Sequence, residues 1–354
     1  MTTPSLAELT TLRVGGPVHT FVAAHSEEQI IAAVRSADAD GRPLLMLGGG
    51  SNVLAADEGF DGVVVQDQRR GIHADDVGAC QGANVTVPAG QDWDDFVAHA
   101  VTEGWRGVEA LSGIPGSTGA TPMQNVGAYG QEVSEVIAAV RTFDRATDRI
   151  RTLARTDLGF GYRNSVLKES LYATGSPWFP TPRYVVLDVQ FQMPVADLSA
   201  PIRYAELARA LDVELGERAP SARVREAVLA LRGGKGMVLD PADHDTWSAG
   251  SFFTNPVLDA DEAARLPADA PRFPAPAGRV KTSAAWLIAR AGFDKGYGLP
   301  GPAALSTKHT LALTNRGGAR AADLLELART VRAGVRERFG VELVPEPVLL
   351  TGRL

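Results

Sequence analysis

The sequence predicts an α+β protein built from more than one domain. The chain has 354 residues, which is longer than a single hydrophobic core usually serves. Strand-like and helix-like segments alternate over residues 1–66, whereas the region from about residue 201 onward is mostly helical in pattern. The stretch between them predicts short strands around one helix. We therefore expect two or three domains.

The first third contains three predicted strands and one predicted helix. VHTFVAA, residues 18–24, is typical of a strand, and PLLML (43–47) and GVVV (62–65) are short apolar runs of the kind found in buried strands. Ser26 and Gln29 have the spacing of a capping box, so a helix is expected to begin there.

The rest of the chain has one predicted helix in its middle third and several in its last third. In QDWDDFVAHAVTEG, residues 91–104, apolar side chains recur at helical spacing and Gly104 is the expected end. Further helices are predicted at 204–211, 222–231, 283–290 and 321–339. The closing VELVPEPVLLTG, residues 341–352, predicts a strand interrupted by two prolines.

The composition argues against several classes of protein. The net charge is −7 and no basic stripe is present, which disfavours nucleic acid as a partner. The single cysteine, Cys80, excludes a disulfide scaffold, and the histidines lack metal-ligand spacing. No signal peptide and no apolar run of membrane-spanning length are visible. We expect a cytoplasmic, metal-free protein without a membrane partner.

Two glycine-rich loops are the main candidates for a binding site. LGGGSN, residues 47–52, follows a predicted strand and could turn several backbone N–H groups toward a pyrophosphate. Taken alone, an ordinary glycine turn is the favoured interpretation. The run GIPGSTGATPMQNVGAYG, residues 113–130, interleaves glycines with polar side chains that could bond the edge of a flat heterocycle. Together the two loops favour a large phosphate-bearing cofactor.

Three polar residues stand in settings that favour chemistry. Arg163, in FGYRNS, offers a fork for a carboxylate or phosphate, and a surface arginine after a turn is the alternative. Ser251, in WSAGSFFTNP, lacks the second glycine of a nucleophile elbow, so a proton donor or a turn hydroxyl remains. Glu346 stands between two prolines that fix its direction, with an exposed edge-strand glutamate as the alternative.

Six stretches, in order along nearly the whole chain, resemble the UDP-N-acetylenolpyruvoylglucosamine reductase family in its type I form. They are TLRVGG (11–16), LGGGSNVL (47–54), SGIPGSTGATPMQNVGAYGQE (112–132), FGYRNS (160–165), AGSFFTNP (249–256) and ERFGVELVPEPVLLTG (337–352). The resemblance implies a two-lobed FAD-binding domain of the vanillyl-alcohol-oxidase type and a C-terminal α+β substrate-binding domain. The implied bounds are 1–67 completed by 340–354 for lobe 1, 68–200 for lobe 2, and 205–339 for the substrate-binding domain.

The resemblance also implies roles for individual residues. Arg163, Ser251 and Glu346 would be catalytic, with Ser251 as proton donor and the other two polarising the substrate carboxylate. Tyr204, Lys235 and Asn255 would bind the substrate. Non-covalent FAD would be held by Gly48, Gly49, Gly50, Ser51, Asn52, Gly113, Ile114, Pro115, Gly116, Ser117, Gly119, Ala120, Gln124, Asn125, Gly127, Ala128, Tyr129 and Gly130. No residue is assigned to a metal.

The implied reaction is an NADPH-dependent reduction of the enolpyruvyl ether of a UDP-sugar, with the hydride passing through flavin N5. The partner would be this nucleotide sugar, and we expect a monomer. Two rival functions are a different flavin oxidase of the same architecture and a flavin-free nucleotide-sugar binding protein. The oxidase is disfavoured because His73 and Cys80, which could attach flavin covalently, lie outside the glycine loops. The binding protein would show no flavin absorbance when FAD is supplied.

Overall fold

A computed structural model describes residues 3–78, 80–352 and 354. The chain forms two compact units. Unit 1 comprises Val18–Gly49 and Asp61–Gly234, and unit 2 comprises the described residues of 3–17, Gly50–Phe60 and Lys235–Leu354. The three-part division expected from the sequence is a different partition, and it stays a prediction.

The strands of both units are numbered in chain order. They are β1 (Val18–Ala24), β2 (Leu44–Met46), β3 (Val53–Leu54), β4 (Phe60–Asp67), β5 (His73–Gly78), β6 (Gly82–Pro88), β7 (Gly127–Ala128), β8 (Gln131–Glu132), β9 (Ile137–Asp144), β10 (Arg149–Ala154), β11 (Tyr184–Met193), β12 (Val257–Leu258), β13 (Phe273–Pro274), β14 (Val280–Lys281), β15 (Ala303–Leu305), β16 (Leu313–Asn315) and β17 (Val348–Leu349).

The α-helices are numbered in the same way. They are α1 (Leu6–Leu9), α2 (Glu27–Ala39), α3 (Trp93–Thr102), α4 (Val166–Tyr172), α5 (Ala205–Leu211), α6 (Ser221–Gly234), α7 (Ala260–Ala264), α8 (Ala284–Arg290) and α9 (Ala321–Phe339). Among the described residues, no helix has the length and apolar character needed to cross a membrane. The same part of the chain contains no group of three or more His, Cys, Asp or Glu placed to hold a metal.

Unit 1 contains two sheets. A five-stranded antiparallel sheet has the order β10-β9-β11-β6-β5, and a three-stranded sheet has the order β1-β4-β2. Helix α3 buries Trp93 and Phe96 against Phe191 of β11, with the two phenylalanine rings stacked 4.7 Å apart. Its predicted apolar stripe is therefore the face that packs on the large sheet, and Gly104 follows it with a φ of +69°.

Helices α5 and α6 belong to unit 1. They share a small core with Ala110, which precedes the loop 113–130, and this core includes Leu207 and Val224. Asp94, in the first turn of α3, is bonded to Arg225 of α6. The apolar sides of α5 and α6 thus cover the region from which that loop begins.

Unit 2 is organised around α9. This helix buries Leu325, Ala328, Val331 and Val335, as its pattern predicts, and ends at Gly340 with a φ of +68°. Its core also contains residues of α8, the hairpin β15–β16 and the pair Phe252 and Phe253. The short strand β17 pairs in parallel with β3, which follows the LGGGSN motif.

Two local expectations need correction. The capping box is only half formed: the Ser26 hydroxyl accepts the N–H of Gln29, but the Gln29 amide reaches back to the N–H of His25. The strand expected over 341–352 is limited to β17 and an isolated bridge between Phe253 and Pro345. Proline has no N–H to donate to a ladder, which accounts for the break.

Candidate functional site

In unit 1, the first glycine loop lies against the second. A Cβ added to Gly49 would lie 2.7 Å from Cα of Gly116, and one added to Gly48 would lie 2.4 Å from Oγ of Ser117. Position 49 therefore requires glycine, because a real Cβ does not approach backbone so closely. Two stretches far apart in sequence therefore meet backbone to backbone, as a cradle for a large phosphate-bearing group requires.

The loop 113–130 is held in shape by fixed backbone contacts. The N–H of Gly119 donates to the carbonyl of Ala89 over 2.9 Å, and a Cβ at Gly119 would meet Ala89 at 2.3 Å. Asn125 is buried in the left-handed conformation, with a φ of +47°. Its amide donates to Glu132 over 2.8 Å and accepts from the N–H of Ser134 over 3.2 Å. Asn125 and Gly119 thus maintain the path of the loop.

The other residues assigned to this loop follow the same path within unit 1. Gly127 and Ala128 form the short strand β7, which pairs with β8. Tyr129 has a φ of +48° and Gly130 a φ of +84°. The remaining members are Ile114, Pro115, Ala120 and Gln124, all at least partly accessible.

Arg163 is fixed against this loop. It has a φ of +52°, and its guanidinium donates to the carbonyl of Asn125 over 3.3 Å and to that of Gly127 over 2.7 Å. The ring of Tyr162 lies beside the guanidinium, 5.3 Å away. The two carbonyls fix the plane of the fork, so the sequence-predicted cation and the loop form one constellation.

Tyr204 also contacts the loop. Its ring meets the ring of Tyr129 edge to face, with centroids 5.5 Å apart, and 46% of the residue is exposed. Arg203, the preceding residue, forms an ion pair with Glu135 at 2.9 Å. Tyr204 is thus accessible at the start of helix α5, beside the ring of Tyr129.

In unit 2, the second half of LGGGSN is joined to the segment that carries Glu346. Gly50 has a φ of +63°, and a Cβ there would lie 2.0 Å from the carbonyl oxygen of Leu9. Ser51 follows it at the surface of the turn and is partly buried. The Asn52 amide donates to the carbonyl of Glu346 over 3.4 Å, and the Asn52 carbonyl accepts the N–H of Val348 over 2.9 Å.

The backbone segments that carry Ser251 and Glu346 are neighbours in unit 2. The N–H of Glu346 donates to the carbonyl of Phe252 over 2.9 Å, and the N–H of Phe252 donates to the carbonyl of Leu311 over 2.8 Å. Phe252 and Phe253 are each 1% exposed, with their rings edge to face. The N–H and the carbonyl of Phe252, the residue after Ser251, are therefore both hydrogen-bonded. Ser251 itself is partly exposed.

The two substrate-binding candidates of unit 2 have different surroundings. The Asn255 side-chain oxygen accepts the N–H of Ala284 over 2.9 Å, at the start of α8. This bond attaches Asn255 to the first residue of α8. Lys235 is the first residue of unit 2 after helix α6 and is partly buried.

The structure adds contacts of residues to which the sequence motifs assign no role. Asp94 accepts the N–H of Gly113, the first glycine of the second loop, over 2.6 Å. Thr118 lies between two predicted FAD contacts, and its hydroxyl is buried without a hydrogen-bond partner in the described part of the chain. Thr11 binds backbone near both Gly50 and Ser251. Thr11 and Thr118 lie within the stretches 11–16 and 112–132, but nothing in these stretches indicates a separate role for either residue.

Comparison with known proteins assigns most of the chain. Residues 240–350 match the family model described as UDP-N-acetylenolpyruvoylglucosamine reductase, C-terminal domain, and residues 18–154 match the FAD binding domain. The UDP-N-acetylenolpyruvoylglucosamine reductase of Cutibacterium acnes is 56% identical over 98% of this chain and 89% of its own length. That of Thermobifida fusca is 55% identical over 98% and 96%.

A solved structure supports the same assignment. The UDP-N-acetylenolpyruvylglucosamine reductase of Thermus caldophilus aligns with a TM-score of 0.63 and 25% sequence identity. The alignment covers 98% of this chain and 97% of that one. The likeness therefore extends over both units.

Proposed function

The chain belongs to the UDP-N-acetylenolpyruvoylglucosamine reductase family, and we propose that it uses NADPH to reduce the enolpyruvyl ether of UDP-N-acetylglucosamine enolpyruvate to UDP-N-acetylmuramate. The family consists of FAD-dependent oxidoreductases of cell-wall synthesis. The predicted fold class and the FAD cofactor are confirmed by the FAD binding domain match, the C-terminal domain match and the aligned reductase structure. The reductant, the substrate contacts and the roles of single residues belong to the proposal.

The two glycine loops fit non-covalent FAD. A Cβ on Gly49 would clash with the backbone of Gly116 and one on Gly48 with the hydroxyl of Ser117, so the two glycines allow the loops to pack closely. When bound, FAD supplies the hydride at flavin N5. Backbone N–H groups of glycine-rich turns can bind phosphate, so the close packing of the two loops supports the assignment of LGGGSN and 113–130 to the cofactor.

The observation that carries the proposed chemistry is the bond between the N–H of Glu346 and the carbonyl of Phe252. It joins the backbone segments that carry Ser251 and Glu346, and this supports a shared role for the two residues. Ser251 would donate a proton to the carbon that becomes negatively charged after hydride addition. A hydroxyl is a weak acid, and it is adequate here because a carbanion is a strong base.

Arg163 and Glu346 would act on the substrate carboxylate. Negative charge spreads into this carboxylate as the adjacent carbon becomes a carbanion, and pre-oriented donors stabilise it. The Arg163 fork is already held by the carbonyls of Asn125 and Gly127, so little reorganisation is needed when a carboxylate arrives. Glu346 contributes a hydrogen-bond donor in its protonated form.

The nucleotide sugar would be held by residues other than the three proposed catalytic residues. Tyr204 offers an exposed ring at the start of α5, Lys235 a cation, and Asn255 an amide beside the Ser251 segment. We propose that the enzyme acts in the cytoplasm, where its nucleotide-sugar substrate is available. We also propose that it acts as a monomer.

The test separates the two half-reactions with Ser251→Ala. Stopped-flow absorbance would follow flavin bleaching by NADPH and then flavin reoxidation by the enolpyruvyl nucleotide sugar. We expect the first rate to stay near that of the unmodified enzyme and the second to fall by several orders of magnitude. If both rates fall equally, Ser251 is structural and its proposed role is wrong.

A further inference from the structure

The motif TLRVGG, residues 11–16, has no role in the proposed function. Its first residues lie on the end of the first glycine loop. The N–H of Thr11 donates to the carbonyl of Gly50 over 3.1 Å. The carbonyl of Leu9, two residues before Thr11, occupies the space in which a Gly50 side chain would stand, since an added Cβ would be 2.0 Å away. This contact requires glycine at position 50.

The same segment also contacts the backbone that leads to Ser251. The Thr11 hydroxyl, in a residue only 6% exposed, donates to the carbonyl of Ser248 over 2.7 Å. Its distance to the Gly50 carbonyl is 3.5 Å, so its single proton goes to Ser248. Thr11 therefore joins the two segments, with its N–H on Gly50 and its O–H on Ser248.

Arg13 and Asn315 reinforce this junction. The Arg13 guanidinium lies over the ring of Trp247, 4.1 Å from its centroid. The Asn315 amide donates to the carbonyls of Leu12 and Arg13, over 3.1 Å each, and the Asn315 N–H donates to the carbonyl of Trp247 over 3.0 Å. The backbone of residues 11–13 is thus attached to the backbone of 247–248 on several sides.

The segment between these attachments contains one glycine, Gly250, whose N–H donates to the Ser248 hydroxyl over 3.2 Å. Ser248 is held by Thr11, and Phe252 is held by Leu311 and Glu346. Between them, Gly250 has a φ of +71° and would meet nothing within 4 Å if it carried a Cβ. The position of Ser251 therefore depends on how well both ends of this short segment are fixed.

We propose that Thr11 is a positioning residue for Ser251. Its hydroxyl fixes the Ser248 carbonyl and thereby limits the motion of residues 249–251 about Gly250. This inference rests on the proposed role of Ser251 as proton donor. Misplacement of a reacting group by about 1 Å costs up to 100-fold in rate, so loss of the anchor is measurable.

The first experiment compares Thr11→Val with Thr10→Val. Both threonines are 6% exposed and adjacent, but the Thr10 hydroxyl is 3.4 Å from the carbonyl of Val14 and has no bond to the 247–251 segment. We expect Thr11→Val to slow flavin reoxidation by the enolpyruvyl nucleotide sugar about 10-fold or more, with flavin reduction by NADPH changed less than about 2-fold. Thr10→Val is expected to change neither rate, and Thr11→Ser to restore the sugar half-reaction.

A double-mutant cycle tests whether the effect passes through Ser251. In a Ser251→Ala background, Thr11→Val is expected to have no further effect on the sugar half-reaction. If it slows that background by the same factor as it slows the unmodified enzyme, the effect does not pass through Ser251 and the inference is overturned. Equal slowing of both half-reactions by Thr11→Val overturns it as well, because the effect would then reach the flavin through Gly50.

A measurement independent of turnover is hydrogen exchange in the chain without FAD. Thr11→Val is expected to raise the exchange of the peptide 247–254, which contains the bonded N–H of Phe252, and Thr10→Val is expected to leave it unchanged. Should Thr11→Val fail to fold, Arg13→Met removes the cation over Trp247 without touching the threonine, with the same expected pattern. Unchanged exchange and unchanged half-reactions would overturn the inference.

The outcomes separate this inference from the proposed function. If Ser251→Ala affects both half-reactions equally, the proton-donor proposal fails whatever Thr11 does. If Ser251→Ala slows only the sugar half-reaction while Thr11→Val behaves like Thr10→Val, the positioning role alone fails.

Discussion

Arg225 donates two hydrogen bonds to the carboxylate of Asp94, over 2.6 and 2.9 Å. The same carboxylate accepts the N–H of Gly113 over 2.6 Å. Burial works to raise the pKa of Asp94, but the bonds from Arg225 and Gly113 outweigh it, and the pKa lies below its ordinary value. A single charged group thus ties helix α6 to the first residue of the loop 113–130.

Replacement of this carboxylate should loosen both attachments. Asp94→Ala leaves the N–H of Gly113 without its acceptor, so we expect the free energy of unfolding to fall by about 1–2 kcal/mol and bound FAD to be lost more readily. Urea unfolding and flavin content after gel filtration measure the two effects. Arg203→Met is the control, since it breaks the more exposed pair with Glu135 and is expected to cost under about 0.5 kcal/mol. Equal losses in both variants would contradict a special role for Asp94.

Gly49→Ala tests the contact between the two glycine loops. The added methyl would lie 2.7 Å from Cα of Gly116, and backbone on both sides cannot yield as a flexible side chain does. We expect FAD affinity to fall at least about 10-fold, measured by titrating the FAD-free protein and following flavin fluorescence.

The matched control for that substitution is Gly233→Ala. Gly233 lies in α6, and a Cβ there would meet nothing within 4 Å. Alanine favours a helix over glycine by about 1 kcal/mol, so this variant should keep FAD affinity and be equally or more stable. Normal FAD binding by Gly49→Ala would show that the loops separate without cost.

Asp144 gives a pH-dependent prediction. Burial alone would raise the pKa of this fully buried carboxyl, but hydrogen bonds from Arg183, of 2.6 and 2.7 Å, and from the N–H of Ala146 lower the pKa to about 2. A carboxyl whose pKa is lower in the folded state than in the unfolded state stabilises the fold at pH values above its unfolded pKa. This contribution is lost as the pH falls through the folded pKa. The window therefore runs from about pH 4 down to about pH 2.

The measurement compares Asp144→Asn with the unmodified chain by urea unfolding at several pH values. The difference in unfolding free energy is expected to be on the order of 2 kcal/mol at pH 7 and to shrink as the pH approaches 2. Asp148→Asn is the control because its ion pair with Arg35 is exposed and contributes little. A difference that does not change between pH 7 and pH 2 would show that the charge of Asp144 is not what stabilises unit 1.

The features that follow local rules were predictable from the sequence. The apolar stripe of α3, its end before Gly104 and the inward face of α9 are set by spacing within one segment, and each is found where expected. The closing strand, predicted to be interrupted by its two prolines, is found only as β17 after the second proline and as a bridge at the first.

The candidate site depends on contacts that local rules do not describe. The bonds joining Arg225 to Asp94 span 131 positions, and that of Thr11 to Ser248 spans 237. Nothing in the spacing of these residues indicates their partners, since each pair meets only after separate segments have folded together. The motif around Ser251 could be found from the sequence, whereas the anchors that fix it could not.

Glu346 provides the last prediction, which distinguishes a hydrogen-bond donor from a carboxylate acting by its charge. Its backbone N–H and carbonyl are bonded to Phe252 and Asn52, so changes to the side chain leave these attachments in place. If the protonated side chain donates a hydrogen bond, Glu346→Gln keeps a donor and should retain more of the sugar half-reaction than Glu346→Ala. Loss of a donor to developing charge costs about 100-fold or more in rate, so we expect that effect for alanine and a smaller one for glutamine.

Glu342→Gln is the control for this prediction. It changes an exposed glutamate paired with Arg332 and is expected to leave both half-reactions unchanged. Equal loss in the glutamine and alanine variants would show that Glu346 acts through its negative charge, because glutamine retains the donor and lacks only the charge.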